Sequence, residues 1–220
     1  MKVLRYKDAG RRLTPSLDER VVLLVRHGAS QEDLDNQFCG WCDSPMVDLG
    51  HQQMGEAAKF VEHLEYGDVY TDDLVRTDES AAYLLPGSLT GRQIKTPQFR
   101  AWGLGPTFSG KVKTPELETL RRFYVKNPDD LPPGPDSETL NHNRSGWMSA
   151  FANVVAGVGD TGVASVIVCH SNGPKILSAV FTPGTSHKIG HGGVLAVRIR
   201  PDGVLLDILR PGWFESGQDG

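Results

Sequence analysis

The sequence is poor in cysteine, has no long apolar run and carries no excess of positive charge, and each shortage removes a class of protein. Three cysteines in 220 residues cannot staple a domain of this size and fit a reducing compartment. Cys39 and Cys42 form a C-x-x-C, the spacing of a redox or zinc site. No second pair accompanies them, and Cys169 stands alone, so the pair reads as incidental. No apolar stretch approaches the ~20 residues that span a bilayer; the longest runs only from Val21 to Val25. Met1 to Arg20 is charged and lacks the apolar centre of a secretory signal. These features predict a cytoplasmic protein without a membrane partner. A net charge of −4 argues against a nucleic-acid partner, because phosphate backbones select basic surfaces. It leaves room for a small phosphorylated ligand, which two or three focused arginines can hold on an acidic protein.

What is present is ordinary for a globular chain: 39% hydrophobic and 23% charged residues, enough for one domain over residues 1–220 with a substantial core. Val21–Val25 reads as a strand buried on both faces. A polar loop with Gly40, Pro45 and Gly50 follows, then a helix over Gly50–Leu64 with Met54, Ala57, Ala58, Val61 and Leu64 on one face. Asp68–Thr71 is a strand, Leu74–Leu85 a helix ended by Pro86 and Gly87, and Ile94–Phe99 a further strand. Arg100–Gly110 reads as loop, Glu116–Tyr124 as a short helix, and the proline-rich Asn127–Asp136 as an exposed turn. Residues 100–136 thus form a candidate lid or specificity insertion.

Ser137–Leu140 opens a helix that carries Trp147, Phe151 and Val155 inward. Ala164–Cys169 is a second strongly apolar strand, followed by a helix over Asn172–Val180. Val194–Ile199 and Val204–Leu209 flank Arg200–Gly203 as a terminal hairpin. Met1–Glu19 and Ser216–Gly220 read as loose ends. Strands alternating with helices predict an α/β fold, a three-layer αβα sandwich with a largely parallel central sheet.

In such a sheet, functional groups gather in loops beyond the carboxyl ends of the strands. Three strands deliver them here: Arg26-His27-Gly28 after the first, Asp72 to Arg76 after the second, His170-Ser171-Asn172-Gly173 after the third. If those strands are neighbours, two arginines and two histidines converge. Arginine offers a planar fork of donors for phosphoryl oxygens, and a neutral imidazole can attack phosphorus to give a phosphohistidine. Phosphoryl transfer is mostly positioning and charge stabilisation, so a cage of cations can stand in for a metal ion. Gly28 would let the backbone pass close to the substrate.

At these residues the sequence resembles the histidine phosphatase superfamily, in the branch that includes the cofactor-dependent phosphoglycerate mutases. Leu24–Ser30 (LVRHGAS) is similar to its nucleophile motif. Phe38–Pro45 (FCGWCDSP) with Leu49–Gln53 resembles its F-x-G-W-x-D-x-P and L-x-x-G-x-x-Q stretch. Thr71–Ala81 looks like the segment that supplies the second arginine, Ser137–Leu140 with Arg144 like the G-E-S-L…R helix, and Val166–Asn172 like the second-histidine motif. The likeness runs from about Val21 to Leu177 and on into the hairpin. It implies His27 as nucleophile, with Arg26, Arg76 and His170 binding the phosphoryl group. Asp33, Cys39, Gly40 and Ser171 fall on the substrate side. No cofactor and no metal is implied.

The sequence departs from that pattern in one consequential place. The family's general acid is a glutamate in a segment that here reads Phe99–Gly105, where Trp102 or Gly103 takes its position. Glu138 is the first candidate substitute and Asp33 the second. Asp33 itself stands where the mutases carry asparagine. The resemblance therefore implies a metal-independent phosphatase acting on a small phosphomonoester. A phosphate-binding or partner-binding module without activity, and a mutase, are the alternatives. His187 and His191 form a late cluster with Gly190, Gly192 and Gly193; it reads as a flexible loop, or borders the pocket or takes up stray metal. Phe38, Trp41, Trp102 and Phe108 are candidates for pocket walls.

Overall fold

The computed structural model describes residues 19–158 and 163–213. Val21–Val25 has no polar side chain to turn toward water, so both its faces have to be covered, and it lies inside a six-stranded sheet of order β3-β2-β4-β1-β5-β6. The strands are β1 (Arg20–Arg26), β2 (Tyr66–Thr71), β3 (Gln93–Lys95), β4 (Ala164–Cys169), β5 (Val194–Arg200) and β6 (Gly203–Arg210). The helices are α1 (Gln31–Leu34), α2 (Asp48–Val61), α3 (Val75–Leu84), α4 (Pro115–Lys126), α5 (Leu140–Gly157) and α6 (Asn172–Phe181). The first four strands in chain order run parallel; β5 and β6 are antiparallel additions to one side.

Side-chain alternation divides the sheet's apolar residues between two cores. Val21, Leu23 and Val25 of β1 meet Met54, Ala57 and Val61 of α2 and Ala81 and Leu84 of α3. Val22 and Leu24 face the other way, toward Trp147, Phe151 and Val154 of α5 and Ile176 and Leu177 of α6. Each fully buried aliphatic side chain contributes roughly 1.5–3 kcal/mol, so β1 is held from both sides. The result is the expected three-layer αβα sandwich. A third, smaller cluster of Phe38, Trp102, Leu104, Phe108 and Leu140 lies away from the sheet, with Leu117 and Tyr124 of α4 packed against it.

Several local expectations need correction. The strand expected over Ile94–Phe99 stops at Lys95, and Pro97–Phe99 forms a 3₁₀ turn; Pro97 has no N–H to give a ladder. The helix expected from Ser137 starts at Leu140, because Thr139 accepts the His142 N–H at 3.1 Å as its cap. The two residues before it are pinned instead to the 103–104 segment, where Glu138 N donates to Gly103 O at 3.0 Å. Val154 is the residue buried beside Trp147 and Phe151, and Val155 packs only at the margin. Glu19, expected in a loose end, is buried and paired with Arg198 (3.2 Å) and Arg200 (2.8 Å). Residues 1–18 and 214–220, which hold the rest of both expected loose ends, lie outside the described residues.

Candidate active site

The sheet register places the histidines side by side. Arg26 of β1 pairs with Cys169 of β4, so His27 and His170, each one residue further on, emerge together with ring centroids 4.8 Å apart. The His27 N–H donates to Cys169 O at 3.0 Å and the Arg26 N–H to Gly193 O at 3.0 Å. On the other flank β5 runs antiparallel to β1. The residues just before β5 therefore reach the same edge, and the His191 ring centroid lies 5.3 Å from that of His27. Three imidazoles stand in a row on β4, β1 and the approach to β5, all buried.

His27 Nδ1 is 2.7 Å from Gly28 O. A carbonyl only accepts, so Nδ1 carries the proton and Nε2 keeps its lone pair. Burial, with the nearby His170, holds the His27 pKa well below the ordinary imidazole value, although Asp33 opposes the shift. The ring is neutral at pH 7, with a lone pair on Nε2. His170 is also lowered, chiefly by burial and against the opposing pull of Asp72. Its Nε2 lies 2.6 Å from Asp72 Oδ2. Burial pushes the Asp72 carboxyl up, but His170, Thr77 and the Leu74 N–H outweigh it, so it stays ionised. An ionised carboxylate accepts, which fixes the proton on His170 Nε2 and leaves the Nδ1 lone pair facing Arg76 Nη2 at 3.4 Å.

Arg76 lies in the first turn of α3, is fully buried, and is aimed by two backbone carbonyls: Nη1 donates to Cys42 O (2.6 Å) and Nη2 to Gly40 O (2.9 Å). Its Nε has no hydrogen-bond partner, and a buried unpaired guanidinium donor is rare without a ligand to receive it. Arg26 spans to the other flank, with Nη2 2.9 Å from His191 Nε2 and Nη1 3.3 Å from Ile189 O. Two fixed guanidinium groups and three imidazoles thus surround one position, an arrangement suited to a phosphoryl group.

Of the other expected site residues, Asp33 and Cys39 reach this cluster and Gly40 serves it by orienting Arg76. Asp33 Oδ2 accepts from the Ser30 N–H (2.9 Å) and Oγ (3.0 Å) and lies 3.3 Å from His191 Nε2. Burial pushes its carboxyl up, but the His191 hydrogen bond, the His27 and His191 charges and the Ser30 N–H prevail and hold it far below the usual carboxylate range. Cys39 Sγ is 3.6 Å from Asp33 Oδ1, and burial with that charge pushes its thiol up to about 12. Ser171 is exposed at the start of α6.

At Gly28 the close approach that the structure shows is between two backbones. A Cβ there would strike the Gly50 carbonyl and Met46 Sδ, so the glycine serves close packing of two backbones. Two participants were not assigned from sequence. Asp72 follows β2 directly and is level with His170 once β2 pairs with β4. Of two readings open for His191, a flexible loop or a border of the pocket, the structure favours the second: its ring is buried beside His27 and its N–H donates to Trp213 O at 2.8 Å. Both signals depended on strand order.

The family model described as histidine phosphatase superfamily (branch 1) matches residues 22–198, the stretch that carries every group above. The chain belongs to that superfamily. Among curated proteins it is similar to a 2,3-bisphosphoglycerate-dependent phosphoglycerate mutase of Lactobacillus acidophilus, 30% identical over 131 residues, covering 53% of this chain and 54% of the mutase. The counterpart from Protochlamydia amoebophila is 24% identical over 61% of this chain and 73% of its own length. The match to the Lactobacillus relative thus spans about half of that protein's length. Among solved structures, a mycobacterial hydrolase superposes with a TM-score of 0.74 at 17% identity, over 89% of this chain and 100% of its own. A mycobacterial glucosyl-3-phosphoglycerate phosphatase gives 0.72 at 17%, over 87% and 98%.

Against the superfamily's pattern, the 102–103 segment offers no side-chain acid. A Cβ at Gly103 would meet Trp41 Cζ2 at 2.8 Å and Cε2 at 2.9 Å, and Trp102 is buried with Nε1 donating to Glu138 O at 2.9 Å. A carboxyl reaches the same neighbourhood from another element: Glu138 Oε1 accepts the Gly103 N–H and Asn143 Nδ2, each at 3.0 Å. Glu138 also lines a cavity of about 220 Å³ with Trp41, Arg100, His142 and Asn143. Of the four aromatic residues expected to wall a pocket, only Trp41 does so there. Phe38, Trp102 and Phe108 are buried in the third cluster.

Proposed function

We propose that this member of the superfamily is a phosphatase that hydrolyses a small phosphomonoester through a phosphohistidine on His27, with no metal ion required. The observation that carries the reading is the His27 ring, neutral, with its Nδ1 proton committed to Gly28 O. Its Nε2 lone pair attacks phosphorus while the P–O bond to the leaving group breaks. Arg26 and Arg76 hold the equatorial oxygens and the charge that grows on them, and His170 helps to orient Arg76 through its Nδ1. Water then attacks the phosphohistidine as its P–N bond breaks and gives a proton back to Glu138, and orthophosphate leaves with both residues restored.

Glu138 is the proton donor to the leaving alkoxide in this reading, from the neighbourhood where Gly103 has no side chain. Asp33 is unsuited to that task, because its partners keep it ionised. Residues 100–136, with α4 resting on the third cluster through Leu117 and Tyr124, act as the lid and set the choice of substrate. The free thiols Cys39, Cys42 and Cys169 suit the cytoplasm. The phosphoglycerate mutases among the relatives are matched over only part of their length, and their reaction is not carried over.

The test is phosphate release from a panel of phosphomonoesters in excess chelator, wild type against His27→Ala. Turnover by the wild type alone supports the mechanism. Binding of orthophosphate without turnover of any ester would make the chain a phosphate-binding module.

A further inference from the structure

His27, Asp33 and His191 come from the end of β1, from α1 and from the approach to β5, and they meet in one buried cluster. One nitrogen from each imidazole and one carboxylate oxygen all lie within 4.8 Å of one another. We propose that this cluster binds a divalent ion of the zinc class and that the bound ion silences the nucleophile. Binding stands on the geometry alone, whereas the silencing rests on the phosphatase reading.

Two imidazoles and one carboxylate make a borderline donor set that suits zinc-like ions and not magnesium, which prefers oxygen donors. With bonds of about 2.0–2.1 Å, neighbouring ligands on a tetrahedral ion stand about 3.3 Å apart. Asp33 Oδ2 and His191 Nε2 are already 3.3 Å apart, so closure requires a shift chiefly of the His27 ring. The supports that orient ligands are also in place. The Nδ1–H of His27 is bonded to Gly28 O, which leaves Nε2 as the donor, and Ser30 holds Asp33 through both its N–H and its hydroxyl.

Arg26 and Arg76 oppose a second cation. Arg26 Nη2 shares His191 Nε2 at 2.9 Å and has to withdraw as the ion enters, with Nη1 still at Ile189 O. Their charge keeps the site reversible. The ion takes the lone pair of His27 Nε2, the same pair that attacks phosphorus, so metal binding and phosphoryl transfer exclude each other at that atom.

The experiment is a cobalt titration of the full chain. One equivalent of Co²⁺ is expected to raise the visible bands of a tetrahedral centre, which Zn²⁺ bleaches and Mg²⁺ leaves unchanged. Asp33→Asn, nearly the same shape, and His191→Gln are each expected to weaken binding at least about tenfold, with thermal melts confirming that both fold. His51→Ala, at a histidine bonded to Tyr83, should leave the spectrum as it was. In a separate assay, Zn²⁺ lowers phosphate release by the wild type and chelator restores it. No bands at stoichiometric cobalt, or bands that survive both cluster variants, would overturn the proposal. A chain that binds cobalt yet hydrolyses no ester keeps the metal site and loses the phosphatase reading. One that hydrolyses esters and binds no cobalt does the reverse.

Discussion

At the scale of single residues, the site works by committing one atom of each side chain so that another is left available. Asp72 accepts a hydrogen bond from His170 Nε2–H at 2.6 Å while its other oxygen accepts from Thr77 Oγ1 and the Leu74 N–H. Asp72→Asn keeps the shape but offers an amide that donates as readily as it accepts, so the His170 tautomer is no longer fixed. Steady-state phosphate release should fall about 10²-fold in kcat, with little change in melting temperature. Glu138→Gln separates leaving groups. Loss of a general acid costs ~10²–10⁴-fold where the departing oxygen needs a proton. Alkyl esters should therefore suffer far more than p-nitrophenyl phosphate, whose phenolate leaves unaided. An equal loss on both would remove Glu138 from the acid role.

At the scale of elements, the ends of helices and strands do the positioning. α5 begins where Thr139 Oγ1 accepts the His142 N–H, and that start sets the two preceding residues, Glu138 included, against the 103–104 segment. Thr139→Ala should lower stability by about 1 kcal/mol, read as a lower urea midpoint with an unchanged m value. The elements the sequence disclosed best are those with unbroken apolar content. β1 and β4 were placed almost to the residue because nothing else accommodates Val21–Val25 or Ala164–Cys169. Elements governed by one polar or cyclic residue were legible only in part: Pro97 cut β3 short, and Thr139 overrode the apparent helix start at Ser137.

At the scale of the whole molecule, burial of uncharged imidazoles links folding to pH. His27 and His170 both have pKa values lowered by burial, so near and below the unfolded imidazole value of about 6.5 the unfolded chain binds protons that the native chain does not. Their contribution is present above about pH 6.5 and is lost as pH falls toward the native values. The slope should be at most about 1.4 kcal/mol per pH unit for each histidine. Asp33 and Asp72 are lowered too, and their loss follows only below about pH 4. Urea melts from pH 7 to pH 5 should show the first decline, and His27→Asn should flatten it. At this scale the sequence was least informative about the site. Arg26, His27, Arg76 and His170 announced themselves by motif, whereas Asp72 and His191 acquired meaning only from strand order, which periodicity does not encode.

That strand order also governs when His27 reaches its place in the cluster. β1 is made early, yet its partners are β4 and β5, with Val22 opposite Ser165 and Val197. Such distant pairing is slow to form. During synthesis β1 emerges with two apolar faces that stay uncovered until β4 and Val194–Arg200 have followed it, a state that favours unwanted association.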